Sequence, residues 1–244
     1  MKLTLENEQF AVFDDVLEPR ELDRLWNHFQ ATKFTPVTVG QPGSPWLPTD
    51  GQAMMGPGMI AWADPATTTI DPEHARFPTQ TPIDPLIQRL LDEQPRLAPW
   101  VGAAIEEWAV LSAVPWLYPP GSGLSWHTDS SMYSGAFAYY LHPTWDPHWG
   151  GDLVFAHPSA RAERELVAGD HSQRFDRSRL AASIGEMGIG HYVVPRRNRL
   201  VVIAGGHPHK IARVDVTAGH HVRASIAGFY VRARALATLV KPGR

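Results

Sequence analysis

The chain has 244 residues, no cysteine and a formal net charge of −3, and it is long enough to bury a substantial core. The lack of cysteine excludes disulfide bonds, thiolate metal sites and thiol catalysis. The weakly negative charge and the absence of a membrane-length apolar run predict no nucleic-acid or membrane partner, and leave the oligomeric state open. Acidic residues within 1–16 interrupt the apolar run that a secretion signal requires, which favours a soluble cytoplasmic protein.

The N-terminal part of the chain is predicted to be mainly helical. A short strand over 10–13 precedes a helix that begins near Pro19, with apolar residues at helical spacing across 22–29. A second helical pattern runs over 84–108, with a break at Pro95. These helices are expected to support whatever core the rest of the chain forms.

Two stretches are predicted to form loops near a binding site. Residues 36–65 contain too much proline and glycine for a regular element, and long loops in compact domains are often lids. Residues 156–190 are polar and only partly helical, so that a solvated excursion and a substrate lid are both open interpretations. An anionic or carboxylated substrate would suit the arginines of this second stretch, which are Arg161, Arg164, Arg174, Arg177 and Arg179.

From residue 109 onward the chain becomes strand-like. Short runs rich in β-branched and aromatic residues are separated by glycine, proline and aspartate. Helices followed by many short strands predict a mainly β fold, a sandwich or cupin-like jelly roll with supporting α-helices. We expect one domain over 1–244, with helical support at about 1–108, a β-core at about 109–235 and a lid-like insertion at about 156–190.

The stretch "GLSWHTDSS" contains two possible metal ligands, His127 and Asp129. About one such His-x-acid pair is expected by chance in this composition, so the pair alone carries little information. In an extended strand both side chains face the same way, and a mononuclear iron site needs one further histidine from a neighbouring strand. His209, in "GGHPHKIARV" after an apolar strand, is the predicted third ligand, and His207 is the alternative.

A second group of possible ligands lies in a hairpin connection. His142, Asp146 and His148 straddle Pro143 and Pro147. Two prolines at this spacing favour an irregular turn. We interpret the group as a solvated turn rather than a second metal site.

Several motifs in this order resemble the Fe(II)/2-oxoglutarate dioxygenases, specifically their prolyl-4-hydroxylase-like branch. They are "YPPGSGLSWHTD", "AYYLHPTWDPHWGGDLVF" and "RNRLVVIAGGHPHKIARVDVTAGHHVRASIAGFY". The resemblance covers about 108–231, and "FAVFDDVLEPRELDRLW" is similar to the N-terminal strand and helix of these enzymes. It implies a double-stranded β-helix in which His127, Asp129 and His209 bind iron.

The resemblance also implies a pocket for 2-oxoglutarate. Arg223 matches the basic residue that pairs with the distal carboxylate, a role that suits the planar guanidinium fork. Ser225 shares its strand face and could add a hydroxyl donor. Tyr140 matches a tyrosine that hydrogen-bonds the same carboxylate, and Tyr118 matches one that lines the pocket. The stretch from His209 to Arg223 is longer than the commonest family spacing, which requires a bulge or a longer turn.

The implied activity is that of an oxygenase that uses Fe(II), 2-oxoglutarate and O₂, and releases succinate and CO₂. Because Asp129 is retained, hydroxylation of an unactivated C–H bond is favoured over halogenation, with desaturation or ring closure as alternatives. The chain contains no visible peptide-binding module, which favours a small-molecule substrate such as an amino acid or biosynthetic intermediate. Predicted apolar walls of the substrate site are Trp126, Trp149, Met54 and Met55. The alternative from another class is a non-catalytic jelly-roll binding module.

Overall fold

The computed structural model describes most of the chain, namely residues 1–38, 46–67, 74–160 and 178–233. Parts of both predicted lids therefore lie outside the described residues. The same holds for the side chains of the arginines expected to meet an anionic substrate, which are Arg161, Arg164, Arg174, Arg177 and Arg179.

Three of the described helices, α1 (Pro19–Ala31), α2 (Asp84–Asp92) and α3 (Gln94–Val101), bury apolar side chains against the sheet. The first begins after Glu18, whose backbone N–H donates to the Glu21 carboxylate at 3.1 Å, with Pro19 in the first turn. None of the described helices is long and apolar enough to cross a membrane. The helices are α1 (Pro19–Ala31), α2 (Asp84–Asp92), α3 (Gln94–Val101) and α4 (Ser178–Met187).

The helical pattern predicted up to Trp108 is wrong beyond Val101. Gly102, at φ +80°, ends α3, because this backbone conformation cannot continue a right-handed helix. Trp108 is nevertheless fully buried, and its indole N–H donates to the Gly102 carbonyl at 3.1 Å. Trp108 is therefore a core residue that lies in a turn, although its spacing in the sequence continues the helical pattern.

The strand-like runs of the sequence do form strands, and nearly all of them pair antiparallel. The one parallel pair described is β5 (Met59–Trp62) with β6 (Ala75–Arg76). The strands are β1 (Lys2–Glu6), β2 (Phe10–Asp14), β3 (Thr35–Pro36), β4 (Met54–Met55), β5 (Met59–Trp62), β6 (Ala75–Arg76), β7 (Val110–Tyr118), β8 (Leu124–His127), β9 (Tyr133–Tyr140), β10 (Leu153–Ala156), β11 (Gly190–Val193), β12 (Arg199–Ala204), β13 (His209–Ile211) and β14 (Arg223–Val231).

These strands form two sheets. The large sheet has the order β1-β2-β12-β9-β14-β7-β4-β3, with β5 and β6 joined to it through β7. The small sheet has the order β11-β10-β13-β8. Most neighbours in both sheets, unlike β1 and β2, are distant in sequence, so each sheet is assembled largely from crossing connections, as in a jelly roll.

The core follows from the two-residue alternation of the strands. On β9, Phe137 and Tyr139 pack with the helices, whereas Ala138 and Tyr140 join a second cluster with residues of the small sheet such as Phe155. The large sheet is thus covered on one side by helices and on the other by the small sheet. This arrangement confirms the predicted mainly β jelly roll with supporting helices.

Candidate active site

Three side chains that could hold a metal ion meet at one end of the small sheet. His127 ends β8 and His209 begins β13, and the two residues are directly paired with ring centroids 4.3 Å apart. Asp129, just after β8, has carboxylate oxygens 3.6 Å from His127 Nε2 and 3.7 Å from His209 Nε2. The ligand atoms all lie within 4.8 Å of one another. The structure thus brings the predicted triad together, and His207 is not part of this group.

Hydrogen bonds fix the orientation of both imidazoles. Nδ1 of His127 lies 2.9 Å from the Ser125 carbonyl oxygen, and Nδ1 of His209 lies 2.9 Å from the His207 carbonyl oxygen. Because a carbonyl can only accept, each Nδ1 carries a proton, and Nε2, the ring nitrogen nearer Asp129, is the one that could bind a metal. Metal-binding histidines are commonly oriented by such bonds to their other ring nitrogen.

A second cluster surrounds Arg223, whose side chain is almost completely buried. Its Nε donates to the Gly151 carbonyl at 2.7 Å, and its terminal nitrogens donate to Ser225 Oγ at 3.2 Å and to the Tyr140 hydroxyl at 3.1 Å. Within the described ranges, no carboxylate forms an ion pair with this guanidinium. Asp152 comes near enough for the positive charge to lower its pKa, against a larger rise caused by burial.

Two tyrosine rings enclose the same guanidinium. The Arg223 Cζ lies 5.1 Å from the ring centre of Tyr118 and 4.8 Å from that of Tyr140. Burial raises the pKa of both hydroxyls, and the charge of Arg223 only partly opposes this rise, so both stay protonated at neutral pH. Only the Tyr140 hydroxyl hydrogen-bonds to Arg223.

The Arg223 cluster and the triad are connected through the inside of the sandwich. Tyr140 and Phe155 belong to one buried cluster, and the Phe155 ring lies 6.0 Å from the ring of His209. The connection from His209 to Arg223, expected to need a bulge or a longer turn, contains a short 3₁₀ helix, Val216–Ala218. Arg223 then pairs in register with Tyr118.

The turn after β9 was interpreted as solvated, and the structure shows that only part of it is exposed. Asp146 and His148 are exposed, and the Asp146 side chain accepts from the His148 N–H at 2.9 Å. His142, by contrast, is buried, and its Nδ1 lies 3.1 Å from the Ala224 carbonyl oxygen. Burial, together with the nearby charge of Arg223, lowers the pKa of His142 to about 4, although hydrogen bonds to backbone carbonyls oppose this shift. This histidine is therefore a neutral packing residue behind the Arg223 cluster.

The four predicted substrate-wall residues lie on different elements of the fold. Trp126 precedes His127 on β8 and so points to the opposite side of the strand, where the Lys210 ammonium lies 5.0 Å from its ring. Trp149 stacks on His221 at 4.3 Å. Met54 and Met55 form β4, which pairs with β7 in the large sheet.

Sequence reasoning missed Tyr133, which lies beside the triad. Its ring stacks on Phe229 at 4.1 Å, and its pKa is raised by burial and by the charge of Asp129. Its position shortly after Asp129 was the only signal that could have indicated it. Tyr133 and Phe229 thus form a stacked aromatic pair, and Tyr133 is near enough to Asp129 to feel its charge.

Comparison with known proteins relates the chain to a known group of enzymes. Residues 115–231 match the model of the 2OG-Fe(II) oxygenase superfamily. The matched residues make up just under half of the chain and include the predicted iron ligands and Arg223. The oxygenase therefore uses Fe(II), 2-oxoglutarate and O₂, as the resemblance of its motifs implied. A comparison with curated protein sequences gave no match.

Solved structures similar to the oxygenase show the same fold. A prolyl-4-hydroxylase from Pseudomonas putida has 20% identity and a TM-score of 0.58, covering 92% of this chain and 93% of its own. A prolyl hydroxylase from Trichoplax adhaerens, in complex with a hypoxia inducible factor peptide fragment, has 16% identity and a TM-score of 0.57 over 96% and 89% of the chains. HygX from Streptomyces hygroscopicus, with nickel and 2-oxoglutarate bound, has 14% identity and a TM-score of 0.54 over 94% and 88%.

The residues present fit the metal and the cosubstrate. Two imidazole lone pairs and one carboxylate form the ligand set that non-haem Fe(II) oxygenases use, which leaves coordination positions for other molecules. The guanidinium of Arg223, surrounded by neutral hydrogen-bond acceptors, suits a carboxylate ligand.

Proposed function

We propose that the oxygenase hydroxylates an unactivated C–H bond of a small molecule, with His127, Asp129 and His209 as the Fe(II) ligands. Arg223 binds the distal carboxylate of 2-oxoglutarate in this proposal, with Ser225 beside it. The observation that carries the proposal is a buried guanidinium without a described carboxylate partner, in the same sandwich as a His-Asp-His cluster. A non-catalytic binding module has no need for that combination.

In this proposal, different side chains bind the metal and the cosubstrate and orient them. Bound Fe(II) and 2-oxoglutarate supply the oxidising chemistry, in which O₂ is reduced while 2-oxoglutarate becomes succinate and CO₂. Tyr140 accepts a hydrogen bond from Arg223, so its own O–H remains available to donate to the distal carboxylate. Asp129 completes the ligand set as a carboxylate, which supports hydroxylation over halogenation because a halide would have to replace it.

Two features bear on the substrate class. The stacked pair of Tyr133 and Phe229, with Tyr133 near Asp129, supports a substrate with an apolar group, and orientation of that group decides which C–H bond reacts. A peptide substrate is the second candidate, because the Trichoplax structure of the same fold holds a peptide. Desaturation or ring closure would use the same site.

The proposed function can be tested by a visible absorption spectrum and by a screen of candidate substrates. Purified protein given Fe(II) and 2-oxoglutarate without O₂ should develop a weak visible charge-transfer band. With O₂, succinate release should rise when the right member of a panel of amino acids, other small acids and proline-containing peptides is added. Asp129→Ala and His209→Ala should abolish both signals. Unchanged succinate release in both variants would show that the ligand assignment is wrong.

A further inference from the structure

A buried carboxylate outside the metal-binding group contacts the strand that carries His127. Asp50 is 4% exposed and lies in the loop before β4. Its Oδ1 accepts from the Ser125 backbone N–H at 3.1 Å and from the Ser125 hydroxyl, and its Oδ2 accepts from the Leu47 N–H at 2.8 Å. No basic side chain of the described residues forms an ion pair with Asp50, so neutral donors alone hold this buried group.

The contact continues to the metal-binding group through one residue. Ser125, on β8, donates two hydrogen bonds to Asp50, and its carbonyl accepts the Nδ1–H of His127 at 2.9 Å. Ser125 is therefore fixed on one side by the carboxylate and fixes the imidazole on the other. A shift of Ser125 would turn the His127 ring and move its Nε2.

Backbone contacts also hold the loop that carries Asp50 against the turn before β8. The Asp50 carbonyl accepts from the Gly123 N–H at 2.8 Å. Gly51, at φ +74°, lies so close to the turn before β8 that a Cβ there would come within 2.5 Å of the Gly121 carbonyl oxygen. The loop thus packs backbone to backbone against the turn before β8, and the carboxylate cannot move independently of that strand.

We infer that Asp50 is a positioning residue for the metal centre, acting through Ser125 on His127. It holds the imidazole in the tautomer and direction that metal binding requires, and, when ionised, its buried charge favours a dication nearby. The inference rests on the proposed function, because it takes His127 as a metal ligand. Residues that support metal ligands in this way commonly change metal affinity by 10–100-fold when altered.

The experiment measures binding of Mn²⁺ alone to the full chain by calorimetry. Asp50→Asn keeps the shape and removes the charge and one acceptor, and should weaken Mn²⁺ binding about 10-fold or more. Ser125→Ala removes only the hydroxyl and should weaken it by a smaller factor, about 3-fold. The matched control is Asp14→Asn, which alters a carboxylate that is also buried but pairs with Arg199 on β12. It should lower the melting temperature and leave Mn²⁺ affinity unchanged.

The variant His127→Ala distinguishes a failure of this inference from a failure of the proposed function. If wild type and His127→Ala bind Mn²⁺ equally, the metal-centre assignment itself fails. If His127→Ala loses binding while folded Asp50→Asn stays within 2-fold of wild type, the role of Asp50 is overturned. Should Asp50→Asn not fold, folded Ser125→Ala decides: weakened binding supports the inference, and wild-type affinity overturns it.

Discussion

At the scale of single residues, the burial of Arg223 is the feature that most needs an explanation. A buried charge without an opposite charge costs several kcal/mol, and neutral hydrogen bonds only partly compensate for it. Gly151, Ser225 and Tyr140 orient the guanidinium, and none of them neutralises it. A bound carboxylate would supply the missing charge, which is why we expect this residue to dominate the affinity for 2-oxoglutarate.

Replacing Arg223 tests this expectation directly. Arg223→Leu should remove about 3 kcal/mol of 2-oxoglutarate binding while Mn²⁺ binding persists, because the two ligands contact different residues. The measurement is the rise in melting temperature that 2-oxoglutarate causes in the Mn²⁺-loaded protein. Arg196→Leu, at a largely exposed arginine, is the control and should keep the full rise. An undiminished rise in Arg223→Leu would show that 2-oxoglutarate binds without contacting this guanidinium.

The tandem tyrosines of β9 provide a matched pair. Tyr140 faces Arg223, whereas Tyr139 points to the helices and donates to Asn198 at 2.8 Å. Tyr140→Phe should raise the KM for 2-oxoglutarate about 10-fold with little change in kcat, since it removes a hydrogen bond to a charged group. Tyr139→Phe should cost about 1 kcal/mol of folding free energy and leave that KM unchanged. Equal KM values in the two variants would contradict the assignment.

At the scale of elements, the sequence was most informative where periodicity is strong. The β-core runs and the face alternation that separates Tyr139 from Tyr140 follow from the two-residue repeat. The end of α3 was missed because Trp108 continues a helical spacing that Gly102 interrupts. The contact of Asp50 with Ser125 could not be predicted, since it joins an irregular loop to a strand far along the chain and leaves no periodic signal.

The edge of the large sheet is tied together by Asp14 on β2. Burial would raise the pKa of Asp14, but hydrogen bonds from Arg199 and Thr4 and the charges of Arg199 and Arg196 outweigh it and hold the pKa below its usual range. The unfolded chain therefore binds this proton more readily than the folded one. The stabilisation is complete above about pH 3.9 and is lost as the pH falls through the lower folded-state pKa.

This titration can be isolated by comparing wild type with Asp14→Asn. At pH 7 the variant should unfold with about 2 kcal/mol less free energy in urea, because Arg199 loses its buried partner. The difference between the two proteins should shrink as the pH is lowered below about 4. A difference that stayed constant with pH would show that the Asp14 charge contributes nothing to the folded state.

At the scale of the whole molecule, the possible metal ligands join segments that are far apart in sequence. His127 and His209 belong to different strands of the small sheet and pair in register. A metal held between them stabilises the folded state by mass action, because the unfolded chain lacks the site. At a concentration of 100 times its dissociation constant, this contribution is about 2.7 kcal/mol.

The corresponding measurement is the melting temperature at rising Mn²⁺ concentration. We expect an increase of about 5–10 °C for the wild-type protein near that saturation, from the usual relation between folding free energy and melting temperature for a chain of this size. His209→Ala should abolish the concentration dependence. A rise of equal size in that variant would show that Mn²⁺ binds elsewhere.

The two binding clusters lie on opposite walls of the sandwich, the triad on the small sheet and Arg223 on the large one. Packed sheets are about 10 Å apart, and core packing holds that separation constant. A 2-oxo diacid that is bound at both ends must span this gap. The distance between the two sheets therefore selects the chain length of the cosubstrate. Oxaloacetate, one carbon shorter, and 2-oxoadipate, one carbon longer, should therefore be decarboxylated much more slowly than 2-oxoglutarate. Equal rates of CO₂ release with all three acids would show that the distance between the two sheets sets no such limit.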